Sequence, residues 1–143
     1  MPHIHKDIDW VVSVYIVHQG KVLLIFHKKL QSWLPIGGHV ELHEDAEEAL
    51  NHEIKEECGL EVTLLSPPRP DVQGSTEIKF LPVPAYFDIH KIHDSKLDHE
   101  HRHTNLVYFG TSSNNQVTLA PGEHEAIRWF TPEELDDPIW KIS

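Results

Sequence analysis

Alternating and clustered apolar positions divide the chain into strands with one strongly patterned helix among them. Trp10 to Val17 is rich in Val, Ile and Tyr and predicts a strand. His18-Gln19-Gly20 predicts a turn, and Lys21 to Phe26 returns as a second strand to complete a hairpin. Trp33 to Ile36 predicts a short strand running into Gly37-Gly38. From Asp45 the period changes from two to 3.6. Asp45 with Glu48 is a capping box opening a helix, and Gly59 supplies its left-handed stop. Beyond it, Glu61 to Leu65, Pro84 to Ile92, Asn105 to Thr111 and Ile127 to Phe130 predict further strands, with a proline-rich loop over Ser66 to Asp71. Thr131 caps a last helix beginning at Pro132. Strands with one central and one late helix point to the α/β class, and 143 residues without repeat or linker make a single domain over 1–143.

The central helix carries the candidate chemistry. At about 100° per residue, Ala46, Ala49, Glu53, Glu56 and Glu57 fall in one sector, flanked by the apolar Leu50, Ile54 and Cys58. Three carboxylates are therefore expected on or beside the face that packs inward, where like charges repel and lose solvation. A hard cation with oxygen ligands resolves that cost, and Mg²⁺ (or Mn²⁺) is the usual one for phosphate chemistry. Glu47 and Glu48, in contrast, fit a solvated acidic face. Gly37 and Gly38, held between Trp33-Leu34-Pro35 and the helix, allow backbone to approach a ligand closely.

The run GHVELHEDAEEALNHEIKEECGL, Gly38 to Leu60, resembles the Nudix box, G-x5-E-x7-R-E-U-x-E-E-x-G-U, where U is a bulky aliphatic residue. Gly38, Glu44, Glu53, Ile54, Glu56, Glu57, Gly59 and Leu60 match, and His52 stands where the family has Arg. The resemblance implies an α/β/α sandwich with a mixed β-sheet, the box forming a loop, helix and loop at the sheet edge. It also implies a divalent-metal-dependent pyrophosphohydrolase that cleaves the diphosphate bond of a nucleoside diphosphate linked to another moiety. Glu53, Glu56 and Glu57, with the Gly37 carbonyl, would be the metal ligands. Glu53 and Glu57 would be the catalytic carboxylates, with Glu53, Glu100 and Glu123 as candidates for the group that takes a proton from water. In the family the Arg at the His52 position orients the adjacent glutamate, here Glu53. Imidazole reaches less far and is charged only part of the time at neutral pH. Family members acting on ADP-ribose tend to carry a proline at the position that is Thr76 here, so that substrate is disfavoured.

Two alternatives share the fold. One is a nucleotide-binding module with weakened catalysis, which His52 would favour and the intact glutamates oppose. The other is an isopentenyl-diphosphate isomerase, which needs a cysteine outside the box, whereas Cys58, the sole cysteine, lies within it.

Net charge adds to this picture. At −11 the chain repels nucleic-acid polymers, whose binding rests on basic patches, but suits small phosphates neutralised locally by metal. The expected partner is a small phosphorylated substrate, a nucleotide; homodimerisation is left open. No apolar run is long enough for a membrane span, the polar N-terminus lacks a signal core, and the cytoplasm is the expected location. Lys28, Lys29, Arg102 and Arg128 are candidate phosphate contacts, and Trp10, Phe26, Tyr86 and Phe87 candidate base-stacking groups, although core or surface roles suit each of them better. Among thirteen histidines, His99, His101 and His103 would share one side of an extended segment, a face able to bind a transition metal. No cysteine accompanies them and no motif gathers them, so this stretch is read as a solvated loop rising into the Asn105 strand.

Overall fold

A computed structural model describes residues 4–71, 76–93, 100–118 and 124–142. Its strands are β1 (Ile8–His18), β2 (Lys21–His27), β3 (Ser32–Leu34), β4 (Ile36–His39), β5 (Val62–Leu64), β6 (Tyr86–Ile92), β7 (His101–Ser112) and β8 (His124–Phe130). Its helices are α1 (Ala46–Glu57) and α2 (Pro132–Leu135). The strands form one mixed sheet in the order β3-β2-β1-β7-β5, with β4 also on β1, β6 on β7 and β8 on β2. The long parallel pairing of β1 with β7, from Ile8↔Arg102 to Val17↔Thr111, is its axis; the β2, β4, β5, β6 and β8 ladders are antiparallel. The α/β class and mixed sheet agree with expectation. Among the described residues no helix is long and apolar enough to cross a membrane.

Local chemistry explains most boundaries. Gln19 and Gly20 both have positive φ (48° and 77°), which suits the tight β1–β2 hairpin. The stretch expected as one strand over Trp33 to Ile36 is two. Pro35 has no N–H to give a ladder, and the chain changes partner across it, β3 pairing with β2 and β4 with β1. Asp45 caps α1 with both arms of the capping box formed, and Gly59 (φ 71°) closes it with its N–H on the Ile54 carbonyl.

The sheet's two faces follow from strand alternation. Val12, Val14 and Ile16 of β1, with Leu23, Ile25, Ile36 and Tyr108, pack against Ala49, Leu50 and Ile54 of α1 and its C-cap Cys58 as the main core. So α1 covers the central strands β1 and β4 rather than lying at the sheet edge. The other face carries a smaller cluster, Leu24, Trp33 and Phe130, closed by Tyr15 and by Trp140 of the C-terminal segment. Arg128 fixes that segment: its guanidinium pairs with Glu134 and lies over the Phe130 and Trp140 rings.

Candidate functional site

The box helix brings Glu53 and Glu57, two of its three candidate ligands, against the glycine strand. Glu57 is buried, only 3% exposed. Its Oε1 accepts the Gly37 N–H at 2.9 Å, and its Oε2 lies 2.5 Å from Nε2 of His124 on β8. These contacts offset the desolvation a buried carboxylate suffers. Glu53, one turn earlier, lies half-buried against Gly38. A Cβ on Gly38 would sit 2.3 Å from Glu53 Oε1, and a Cβ on Gly37 would sit 2.2 Å from the Val12 carbonyl oxygen. The two glycines thus serve different ends. Gly37 lets β4 lie close on β1, and Gly38 leaves room for a carboxylate.

Glu56 departs from expectation. Its side chain is 59% exposed, because it precedes the buried Glu57 by one residue and so stands about 100° around the helix. It meets His52, whose Nε2 is 2.8 Å from Glu56 Oε1 and whose Nδ1 is 3.3 Å from Glu44 Oε2. Glu44 Oε1 in turn accepts the Glu41 N–H. The imidazole therefore ties the box loop to the helix through Glu44 and Glu56. The hydrogen bond to Glu56, opposed by partial burial and reinforced by the charges of Glu56, Glu44 and Glu53, raises the His52 pKa above its ordinary value.

The remaining predicted groups divide clearly. Trp10 (48% exposed) and Phe87 (61%) stack with ring centroids 6.0 Å apart on the α1 side of the sheet. The Trp10 carbonyl accepts the Val40 N–H, which fixes this pair beside the box loop. Tyr86 faces the other side, and Phe26 packs on Trp33. Arg128 is engaged in the C-terminal cluster. Lys28 and Lys29 lie exposed after β2. Glu100 is exposed near Arg102, and Glu123 lies outside the described residues. Cys58 is fully buried, its thiol donating to the Ile54 carbonyl and its pKa raised by burial, the opposite of an activated nucleophile.

The histidine-rich stretch is not a loop. His101 and His103 belong to β7, where His103 pairs with Asp9 of β1 and His90 of β6; His99 lies outside the described residues. Both side chains turn inward towards Asp9, and His101 and Asp9 are wholly buried. Among the described residues, Asp9, His101 and His103 are the group of His, Cys, Asp or Glu whose ligand atoms converge, all within 4.8 Å. The box glutamates are not gathered so closely. Their donor set is nonetheless all oxygen beside a backbone cradle that any Cβ would fill, which suits Mg²⁺ or Mn²⁺. His124, whose Nε2 meets Glu57 Oε2, had no signal in the sequence, since it is remote from the box.

Comparison with known proteins bears on the family and the fold. The NUDIX domain family model matches residues 8–143. A NUDIX-family hydrolase from Clostridium perfringens superposes with a TM-score of 0.79 at 34% identity, covering 94% of this chain and 88% of that one. A MutT NUDIX hydrolase from Burkholderia pseudomallei gives 0.62 at 25% identity, over 92% and 89%. The dihydroneopterin triphosphate pyrophosphohydrolase of E. coli gives 0.58 at 21% identity, over 86% and 79%, a likeness of fold alone. No curated protein matches the chain.

Proposed function

The chain belongs to the Nudix hydrolase family, and from that premise we propose that it is a Mg²⁺- or Mn²⁺-dependent pyrophosphohydrolase. Its substrate class is a nucleoside diphosphate linked to a second moiety. The observation that carries this reading is the pair Glu53 and Glu57, drawn by one helix against Gly37 and Gly38 with no apolar side chain between carboxylates and backbone. Glu53, Glu56 and Glu57, with the Gly37 carbonyl, would hold the cation. When bound it would grip diphosphate oxygens, lower the pKa of a coordinated water and offset charge on the attacked phosphorus.

The protein's own groups supply the rest. Gly37 N–H fixes the rotamer of Glu57. His124 holds Glu57 Oε2, and a cation held by that oxygen would compete with it. Glu53, half-buried and beside the glycines, would take a proton from the attacking water. His52 steadies the exposed Glu56 and holds Glu44 to the helix. Trp10 and Phe87 offer a stacking surface for a base beside the box loop. The fold does not select the substrate.

The test is a release screen for phosphate and nucleotide over dNTPs, NADH, ADP-ribose, nucleotide sugars and dinucleoside polyphosphates, with Mg²⁺ and Mn²⁺. Turnover of at least one diphosphate-linked nucleotide is expected, and its loss in excess EDTA. Turnover undiminished by EDTA after dialysis would overturn the metal-dependent reading. Nucleotide binding without turnover would favour the binding module.

A further inference from the structure

On the sheet face opposite α1, four side chains from three strands meet at one carboxylate oxygen. Nε2 of His101 (β7) and Nε2 of His39 (β4) each lie 3.2 Å from Asp9 Oδ2, and Nε2 of His103 (β7) lies 4.0 Å from it. We propose that Asp9, His101 and His103 form a second metal site, for a borderline first-row transition-metal dication of the Zn²⁺ class, independent of the box glutamates.

The first argument is the hydrogen bonding of His101. Its Nδ1 lies 2.7 Å from the Lys6 carbonyl oxygen. A carbonyl only accepts, so Nδ1 carries the proton. In neutral imidazole the Nε2 lone pair then points at a carboxylate oxygen. Two lone pairs 3.2 Å apart inside a protein require a cation between them, either a proton or a metal. A metal-ligating histidine with its other N–H on a backbone carbonyl is the usual supporting arrangement.

The second argument is number. A proton on one ring answers one imidazole, and a single carboxylate cannot balance several buried imidazolium charges. A metal answers both ligand rings, His101 and His103, at once with the rings neutral. His103 packs edge-on against both His101 and His39, with centroids 5.1 and 4.9 Å apart, so the rings are held with their nitrogens towards Asp9.

The third is size. Tetrahedral coordination at about 2.0–2.1 Å separates neighbouring ligand atoms by roughly 3.3–3.4 Å. The two spacings to Asp9 Oδ2, 3.2 Å for His101 and 4.0 Å for His103, bracket that value, and the three ligand atoms lie within 4.8 Å of one another.

The carboxylate is itself prepared. Its Oδ1 and Oδ2 accept the His5 and Ile4 amide N–H groups, and His39 approaches Oδ2 from β4. Imidazole nitrogen selects against Mg²⁺, so the two sites would sort metals by softness. His103 is the most open of the three at 17%.

The experiment uses tag-free, chelator-stripped protein. Zn²⁺ affinity is read by competition with a chromophoric chelator, and coordination by the visible absorption of Co²⁺. The parent is expected to bind one equivalent with tetrahedral-type Co²⁺ bands and to gain thermal stability from Zn²⁺. Glu57→Gln should keep both properties. His103→Gln, checked for fold by far-UV circular dichroism, should lose at least about a hundredfold in Zn²⁺ affinity. In the parent itself, ¹⁵N-imidazole NMR should show two histidines shifting on Zn²⁺ addition, so the outcome does not depend on a variant folding. Parent-like Zn²⁺ binding in His103→Gln, Zn²⁺ binding abolished by Glu57→Gln, or no histidine shift in the parent would each overturn the site. Failure of the hydrolase reading would leave these measurements untouched.

Discussion

Gly38→Ala separates catalysis from folding. The new Cβ would lie 2.3 Å from Glu53 Oε1 and 2.5 Å from its Cδ. Ordinary contact begins near 3.4 Å, so the carboxylate must retreat by about 1.1 Å, the difference between those two distances. It can do so cheaply, because it ends a flexible side chain on a half-buried position. Gly38 does not have positive φ, and replacing Gly by Ala at a compatible backbone removes unfolded-state entropy worth ~0.4–1 kcal/mol. The melting temperature should therefore stay near the parent's. A misplacement of about 1 Å costs around a hundredfold in rate, or ~2.7 kcal/mol of transition-state stabilisation. The assay is kcat/KM with Mg²⁺ on the best substrate from the release screen, with Mn²⁺ affinity by electron paramagnetic resonance as a substrate-independent reading. Gly37→Ala is the contrast. There the Cβ meets the Val12 carbonyl oxygen at 2.2 Å and Ser13 Cα at 2.9 Å, backbone atoms that cannot swing away, and the cost should appear as lost stability. Parent-like activity and Mn²⁺ affinity in Gly38→Ala would refute the placement of Glu53 at the reacting centre.

Glu57→Gln should fold, since an amide oxygen can still accept the Gly37 N–H, and lose at least about a hundredfold in kcat/KM; Glu56→Gln should lose activity with little change in melting, being exposed. His52→Arg should keep or raise kcat, a tenfold gain corresponding to ~1.4 kcal/mol, because a guanidinium spans Glu44 and Glu56 with more donors; a large loss would mean the site is built around imidazole. Trp10→Ala should raise KM by roughly tenfold at unchanged kcat if its stack with Phe87 receives the base, and an unchanged KM would remove that role. The Thr131 N–H, then Arg128, hold the Glu134 carboxyl below its ordinary value of 4.5. Its contribution is thus present above that value and lost as pH falls through the depressed folded value, so the melting gap between parent and Glu134→Gln should be open at pH 6 and should narrow as the pH is taken below 4.5.

The helix and its site were legible where local rules and tertiary packing agree. Asp45, Glu48 and Gly59 act within a few residues of themselves, and they open and close α1 where the sequence places them. The carboxylate phase was legible only in part. A helical wheel puts Glu53, Glu56 and Glu57 together, but the sheet decides where the buried arc is centred. Leu50, Ile54 and Cys58 set that centre close to Glu57 and leave Glu56 in solvent. Pro35 shows the same limit for strands. Its missing N–H is visible in the sequence, whereas the exchange of partner from β2 to β1 across it is a property of the whole sheet.

The histidine stretch was misread for a related reason. His101, Arg102 and His103 look like a polar loop because a strand signal counts apolar residues. What buries this strand end is the parallel register of β1 with β7, which sets Asp9 beside His103 from ninety-odd residues away. A carboxylate at that position turns polar side chains into acceptable interior ones, since each gains a charged partner. Neither segment predicts the other: the strand predicted from Trp10 does not include Asp9, and the histidines read as a loop. Only the register joins them, and it joins them on the face away from α1. Replacing Asp9 by Ala should therefore disturb the β1–β7 end before it disturbs the box, a separation that amide hydrogen exchange can resolve residue by residue.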